Sequence, residues 1–436
     1  MKYLLYDIFL HAFIISLTPY FFFKMLSAGK YREGVPERFG FVSGKKAAAL
    51  SGARDPVIWV HAVSVGETRS VLPLLRRFKE GRPSAKVVFS TVTKTAQEVA
   101  RAEGKGGLID ALIYLPLDLS WAVKRVMNAF SPDLFIVVEK EVWPNLYLTL
   151  HKNSVPIIVV NGTVSERSFR RFVRLKFFFS DIFGKIDYFC ARTDEDLERA
   201  VKAGVRPERA EAVGNIKFDL SPGVDAADSL KKALGIGPED RVIVAGSTHA
   251  GEEGVVLDAY RELLGEFKGL KLILAPRHPE RFDEVESLIK KSGFNYSRRT
   301  RGGVGGKVIL LDTVGELPTV YSLADVAFVG GSLVKGIGGH NLLEPASQGK
   351  PVLYGAHLDA YLGMAELLEE AGGGFRVRDG RDFLATARKL LLDGGLRASA
   401  GSRAREVVRK NRGALERTIE VIEGFLDRSG FGRGVE

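Results

Sequence analysis

Short apolar runs recur along this chain, and each is followed by a stretch with helical spacing. Val57–His61, residues 86–90, Leu134–Val138, residues 157–161 and Tyr188–Ala191 are β-branched or aromatic and are bounded by turn residues. Between them, residues 68–80, 95–103, Ser120–Phe130 and residues 143–152 space their apolar side chains three and four apart. The alternation predicts βαβ units and a parallel sheet covered on both faces. It restarts beyond Pro222 and Gly223, where residues 242–245, 270–275, 307–311, Val326–Val329 and residues 351–354 form a second strand set. Two facing, Rossmann-like doubly wound α/β domains are expected, over residues 26–222 and 223–436, with a linker near 220–227. A long final helix, roughly residues 382–426, is expected to cross back toward the first domain. Ligands of such sheets lie beyond the carboxyl ends of the strands, and two such domains place a reaction in the cleft between them.

The first 25 residues break the pattern. Residues 3–23 are almost wholly apolar, about long enough to cross a hydrocarbon core as a helix. Asp7, His11 and Pro19 within that run fit a helix lying in the membrane plane as well as one that spans it. Lys24, Lys30, Arg32 and Arg38 follow, so the positive-inside rule puts the rest of the chain on the cytoplasmic side. Membrane attachment through this segment is the expectation, the alternative being a buried first helix of the N-terminal domain.

Composition narrows the chemistry. A length of 436 residues suits two domains, and 45% hydrophobic content fills two cores. A formal charge of +10 points to acidic partners: a phosphorylated substrate, an anionic membrane or nucleic acid. Acids and bases are mixed along most of the chain, unlike the concentrated basic stripe that nucleic-acid binding predicts. One cysteine, Cys190, leaves no disulfide framework, and seven scattered histidines without an HExxH motif make a catalytic metal site unexpected. No GxGxxG follows the first strand of either set and no GxxxxGK[ST] occurs, which counts against a dehydrogenase and a P-loop enzyme.

Polar strand-end loops remain. In WVHAVSVGE, Glu67 opens a helix; there it favours the helix dipole, and there it also stands where a general base would take a proton from an alcohol. EKEVWPNL carries Glu139 and Glu141, and GNIKFD places Lys217 where a cation reaches toward the cleft. In the second domain, GSTHAGEE offers Ser247 and Thr248, APRHPER offers Arg277 as a phosphate fork, and TVGEL adds a glycine turn. The bend leading to Asn341 has two readings: Asn341 and Glu344 as a capping box, or the bend as a nucleotide-phosphate seat with Glu344 on a ribose. In RSFRRFVRLKFFF, Phe169, Phe172 and Val173 share a helical face opposite Arg170, Arg171 and Arg174. With Arg167, these form either an ordinary solvated basic face or a surface for a phosphorylated glycolipid and anionic headgroups.

Taken in order, VHAVSVGE, EKEVWPNL, GNIKFD, APRHPER and GGHNLLEP resemble the bacterial 3-deoxy-D-manno-octulosonic acid (Kdo) transferases. That resemblance implies the two-Rossmann-domain GT-B glycosyltransferase fold. It implies inverting transfer of Kdo from CMP-Kdo to lipid IVA or Kdo-lipid IVA, a step of lipopolysaccharide biosynthesis at the cytoplasmic side of the inner membrane. It makes Glu67 the proton acceptor and Glu139 and Lys217 transition-state stabilisers. CMP would be held by Pro276 and Arg277, by Val314, Gly315 and Glu316, and by Asn341, Leu342, Leu343 and Glu344. No cofactor, metal or nucleic acid is implied. A nucleotide-sugar epimerase on the same scaffold is the alternative. The chain departs from the family pattern at Thr93-Lys94-Thr95-Ala96, at Val138-Glu139-Lys140-Glu141 and at Asn161-Gly162-Thr163, where Asn-Ala-Arg is common.

Overall fold

The structure, a computed structural model, describes residues 2–28, 33–50, 55–219, 227–302, 305–358 and 361–431. The chain forms two compact units, one of residues 1–220 with 412–436 and the other of residues 221–411.

The first unit is built on a seven-stranded sheet. Its strands are β1 (Val57–His61), β2 (Lys86–Thr91), β3 (Ala111–Tyr114), β4 (Leu134–Val138), β5 (Ile157–Gly162), β6 (Tyr188–Ala191) and β7 (Ala210–Ala212). They lie in the order β3-β2-β1-β4-β5-β6-β7, all parallel. Successive residues feed opposite faces: Trp59, Phe135 and Val137 enter one core, while Ile58, Val60 and Ile136 enter the other. Both faces are covered, which is why these strands read as unbroken apolar runs. Strand order reverses between β1 and β4, so loops leaving their carboxyl ends diverge and open a crevice.

The second unit repeats the design with β8 (Arg241–Thr248), β9 (Leu270–Pro276), β10 (Tyr296–Arg298), β11 (Val308–Leu310), β12 (Val326–Val329), β13 (Val352–Tyr354) and β14 (Gly374–Arg376). Its order is β10-β11-β9-β8-β12-β13-β14, again parallel, with the reversal between β8 and β12.

The expected final helix is three helices, Gly380–Leu392, Gly394–Lys410 and Ala414–Leu426. Asp393 starts the second by accepting from the Leu396 N–H, and Gly413, at φ 96°, precedes the third. That third helix belongs to the first unit rather than to a domain running to residue 436. Ile419, Ile422 and Leu426 pack into the core with Ile58 and Leu75, and Arg82 pairs with Glu423 at 2.5 Å and Asp427 at 2.6 Å. Asp219 takes the Gly413 and Leu415 N–H groups, fixing where the helix begins.

At the N-terminus, Lys2–Ala28 is one 27-residue helix. Tyr6, Asp7 and His11 face the rest of the first unit. The Tyr6 hydroxyl donates to Asp118, Asp7 accepts from the Ser120 and Asn145 side chains, and the Trp121 indole donates to His11. Leu4, Leu5, Ile8, Phe9 and Phe13 are left exposed. Among the described residues no helix is long and apolar enough to cross a membrane, so the expected membrane-anchor helix is not shown.

Candidate functional site

In the first unit the loop after β1 runs into helix Val65–Gly81, capped by Ser64, whose side chain accepts from the Glu67 N–H. The Glu67 carboxylate returns the contact, accepting from Ser64 Oγ at 3.1 Å and from the Val63 N–H at 2.7 Å. It is only 6% exposed. Burial pushes its carboxyl up to about 7, and the Glu139 and Glu141 carboxylates push the same way, against the two hydrogen bonds. Such a group is ionised near neutrality yet still basic enough to accept a proton.

Glu139 leaves the end of β4 with φ 64°, a left-handed backbone unusual for glutamate. Its Oε1 accepts from Lys217 Nζ at 3.1 Å, and both side chains are largely buried. Lys217, expected where a cation reaches toward the cleft, is paired with Glu139 within the first unit. Burial raises the Glu141 carboxyl as well. At the departing tripeptide, a Cβ on Gly162 would lie 2.5 Å from the Phe189 ring, so alanine does not fit. The Arg192 Nη2 donates to the Thr163 Oγ1 at 2.6 Å.

In the second unit the loops after β8 and β12 are joined by Glu252, which the sequence reading passed over. Its fully buried carboxylate accepts from the His249, Gly331, Ser332 and Leu333 N–H groups at 2.7–3.0 Å. The first N–H groups of the glycine-rich bend therefore serve Glu252 and not an external phosphate. His249 and His340 meet Nε2 to Nε2 at 2.8 Å with nearly parallel rings, a second tie between these loops. Only one proton fits between those nitrogens.

The helix expected from Asn341 starts later, as five residues, Leu343–Ser347, with Leu342 in the cap position. Asn341 Oδ1 accepts from the Leu343 N–H, and its Nδ2 donates to Glu344 Oε1 at 3.3 Å, a side-chain link where a capping box would use backbone. Leu342 and Leu343 are core residues, so only their backbone can meet a ligand. Pro276 ends β9, and the Arg277 N–H donates to the Thr248 carbonyl. Val314 is 82% exposed, Gly315 has φ 94°, and Glu316 pairs with Arg299 at 3.0 Å, which lowers its carboxyl.

Arg167, Arg170, Arg171 and Arg174 are all exposed on or beside helix Glu166–Arg174. Phe172 is buried and Phe169 packs against the same core, but Val173 is exposed, so the apolar face is narrower than expected. Among the described residues no group of three or more His, Cys, Asp or Glu could hold a metal ion.

A family model described as 3-deoxy-D-manno-octulosonic-acid transferase (kdotransferase) matches residues 33–220. The 3-deoxy-D-manno-octulosonic acid transferase of Haemophilus influenzae is 35% identical over 405 residues, covering 92% of this chain and 93% of that protein. The protein of the same name from Chlamydophila psittaci is 33% identical over 429 residues, 97% of this chain and 96% of its own. The solved UDP-GlcNAc 2-epimerase of Neisseria meningitidis shares the fold, with a TM-score of 0.54 at 14% identity over 85% of this chain and 99% of that one.

Proposed function

We propose that this chain, which belongs to the 3-deoxy-D-manno-octulosonic acid (Kdo) transferase family, moves Kdo from CMP-Kdo onto lipid IVA or Kdo-lipid IVA. Kdo transfer is a step of lipopolysaccharide synthesis, and the protein is a glycosyltransferase. One observation carries the reading of the chemistry: Glu67 is a buried carboxyl with its affinity for protons raised to neutrality, held rigidly by its own helix cap. In the reaction, an acceptor hydroxyl gives its proton to Glu67 as its oxygen bonds to the anomeric carbon. The bond from that carbon to the cytidylate oxygen breaks on the opposite side, inverting the centre. CMP leaves with one more negative charge, which Arg277 and the N–H groups around Asn341 offset. The donor is activated already, so this scheme uses fixed cations and dipoles and invokes no divalent metal. Glu139 and Lys217 stabilise charge developing at the transferring sugar. The GT-B type of architecture suits this division, with acceptor chemistry in the first unit and CMP held by the second.

We place the chain at the cytoplasmic face of the inner membrane, and two surface features support its attachment to anionic lipid. The N-terminal helix turns its polar side to the protein and leaves Leu4, Ile8 and Phe9 outward. Lys2 donates to the Phe177 carbonyl, just past the four exposed arginines. Apolar and basic groups on one unit suit an in-plane helix on anionic lipid. Epimerisation draws only on fold likeness at low identity. The reading is tested by following CMP release from CMP-Kdo: release that requires lipid IVA supports it, and release without acceptor contradicts it.

A further inference from the structure

The carboxyl end of β5 holds both members of the Glu139–Lys217 pair, by different means. Glu139 is fixed through its backbone: its N–H donates to the Val160 carbonyl at 3.0 Å, and its carbonyl accepts from the Thr163 N–H at 3.3 Å. Lys217 rides on the short turn Ile216–Asp219, whose first N–H, that of Ile216, donates to Asn161 Oδ1 at 3.2 Å. Asn161 is wholly buried and sits at φ 53°. The β5–β6 register shifts between Val159 and Gly162, the stretch that contains this residue. Bulges and left-handed non-glycine residues re-aim side chains, and they concentrate where function needs a particular geometry. The side-chain Nδ2 of Asn161 is buried with no hydrogen-bond partner among the described residues, so stability alone does not explain an amide there.

We propose that Asn161 is a positioning residue that sets the Lys217 ammonium against the Glu139 carboxylate for sugar transfer. The inference rests on the reading that this pair serves the reaction. Asn161 acts through Lys217.

A double-mutant cycle on the full-length protein, assayed with CMP-Kdo and lipid IVA, separates these claims. Asn161→Gly removes the side chain while tolerating the positive φ. It is expected to lower kcat roughly 10- to 100-fold, as small misplacements of reacting groups do. The KM for CMP-Kdo should stay unchanged, and in the Lys217→Ala background the same substitution should change kcat less than about threefold. Full additivity of the two changes overturns the inference, because a merely structural residue would weaken both backgrounds alike. Normal turnover in Lys217→Ala instead overturns the reading on which it rests. Should Asn161→Gly fail to fold, Asn161→Ser, whose shorter neutral side chain does not span to the Ile216 N–H, enters the same cycle with the same expected results, and its full additivity with Lys217→Ala overturns the inference.

Discussion

Ser64 and Glu67 hold one another across the first turn of a helix: the Glu67 N–H donates to Ser64 Oγ at 3.3 Å, and that hydroxyl donates to the Glu67 carboxylate at 3.1 Å. One side chain thus has a structural duty and a proposed catalytic one, and substitutions can part them. Glutamine at position 67 keeps an acceptor oxygen for Val63 but takes no proton at neutral pH. Glu67→Gln is expected to retain its melting temperature within a few degrees while kcat falls about 10²- to 10⁴-fold. Glu67→Ala should lose the activity and about 1 kcal/mol of stability besides. Thermal unfolding beside steady-state kinetics checks both, and a fully active glutamine variant removes Glu67 from the mechanism.

The pH response follows from the same residue. Because burial lifts its carboxyl from 4.5 to about 7, kcat/KM should rise with pH through about 7 as the base ionises. Stability should run the other way. The unfolded chain ionises this group near 4.5, so the folded form's preference for the neutral acid is fully felt below that pH and is lost as pH rises through 7. Urea unfolding of the unaltered protein and of Glu67→Gln at pH 5 and pH 8 reads the effect. The unaltered protein should lose ground to the variant at the higher pH, and parallel behaviour would contradict the assignment.

Glu252 is expected to be the most sensitive side chain of the second unit. Its Oε2 serves the His249 and Gly331 N–H groups and its Oε1 serves Ser332 and Leu333. Glutamine in either orientation turns an NH2 group against two N–H donors. Each unsatisfied buried donor costs about 1–3 kcal/mol, so Glu252→Gln, which orphans two, should lose about 2–6 kcal/mol. Binding of CMP should weaken with it, measured by calorimetry beside urea unfolding. A glutamine variant of ordinary stability would show that these loops are held by something else.

The central strands were readable because each is buried on both faces and therefore continuously apolar. Val57–His61, Leu134–Val138 and Val326–Val329 fall where their patterns put them. The strands that escaped, β3, β7, β10 and β14, are the four sheet edges, three or four residues long and partly exposed, too brief to show a period. Glycine positions marked the bend before Asn341, but Glu252 was invisible because a carboxylate at a helix start looks like ordinary dipole compensation. The signal was present in GEE, a second acid beyond what one cap needs. The break at Asp393 was legible too, as a capping aspartate before two glycines, and continuous helical spacing on either side concealed it.

Association with lipid should depend on the outward face of the N-terminal helix. Ile8 and Phe9 are 57% and 67% exposed, so paired Asp substitutions there should leave folding intact and reduce cosedimentation with anionic vesicles. Reversing Arg170, Arg171 and Arg174 to Glu should reduce it further and remove its sensitivity to salt. Unchanged vesicle binding in both variants would contradict attachment through this surface.

The most direct measurement is mass spectrometry of lipid IVA after incubation with CMP-Kdo, with and without EDTA, using the unaltered protein and Glu67→Gln. With the unaltered protein the lipid should gain at least one Kdo in both conditions, and with the variant none above background. Unmodified lipid, or equal modification by the variant, would contradict it.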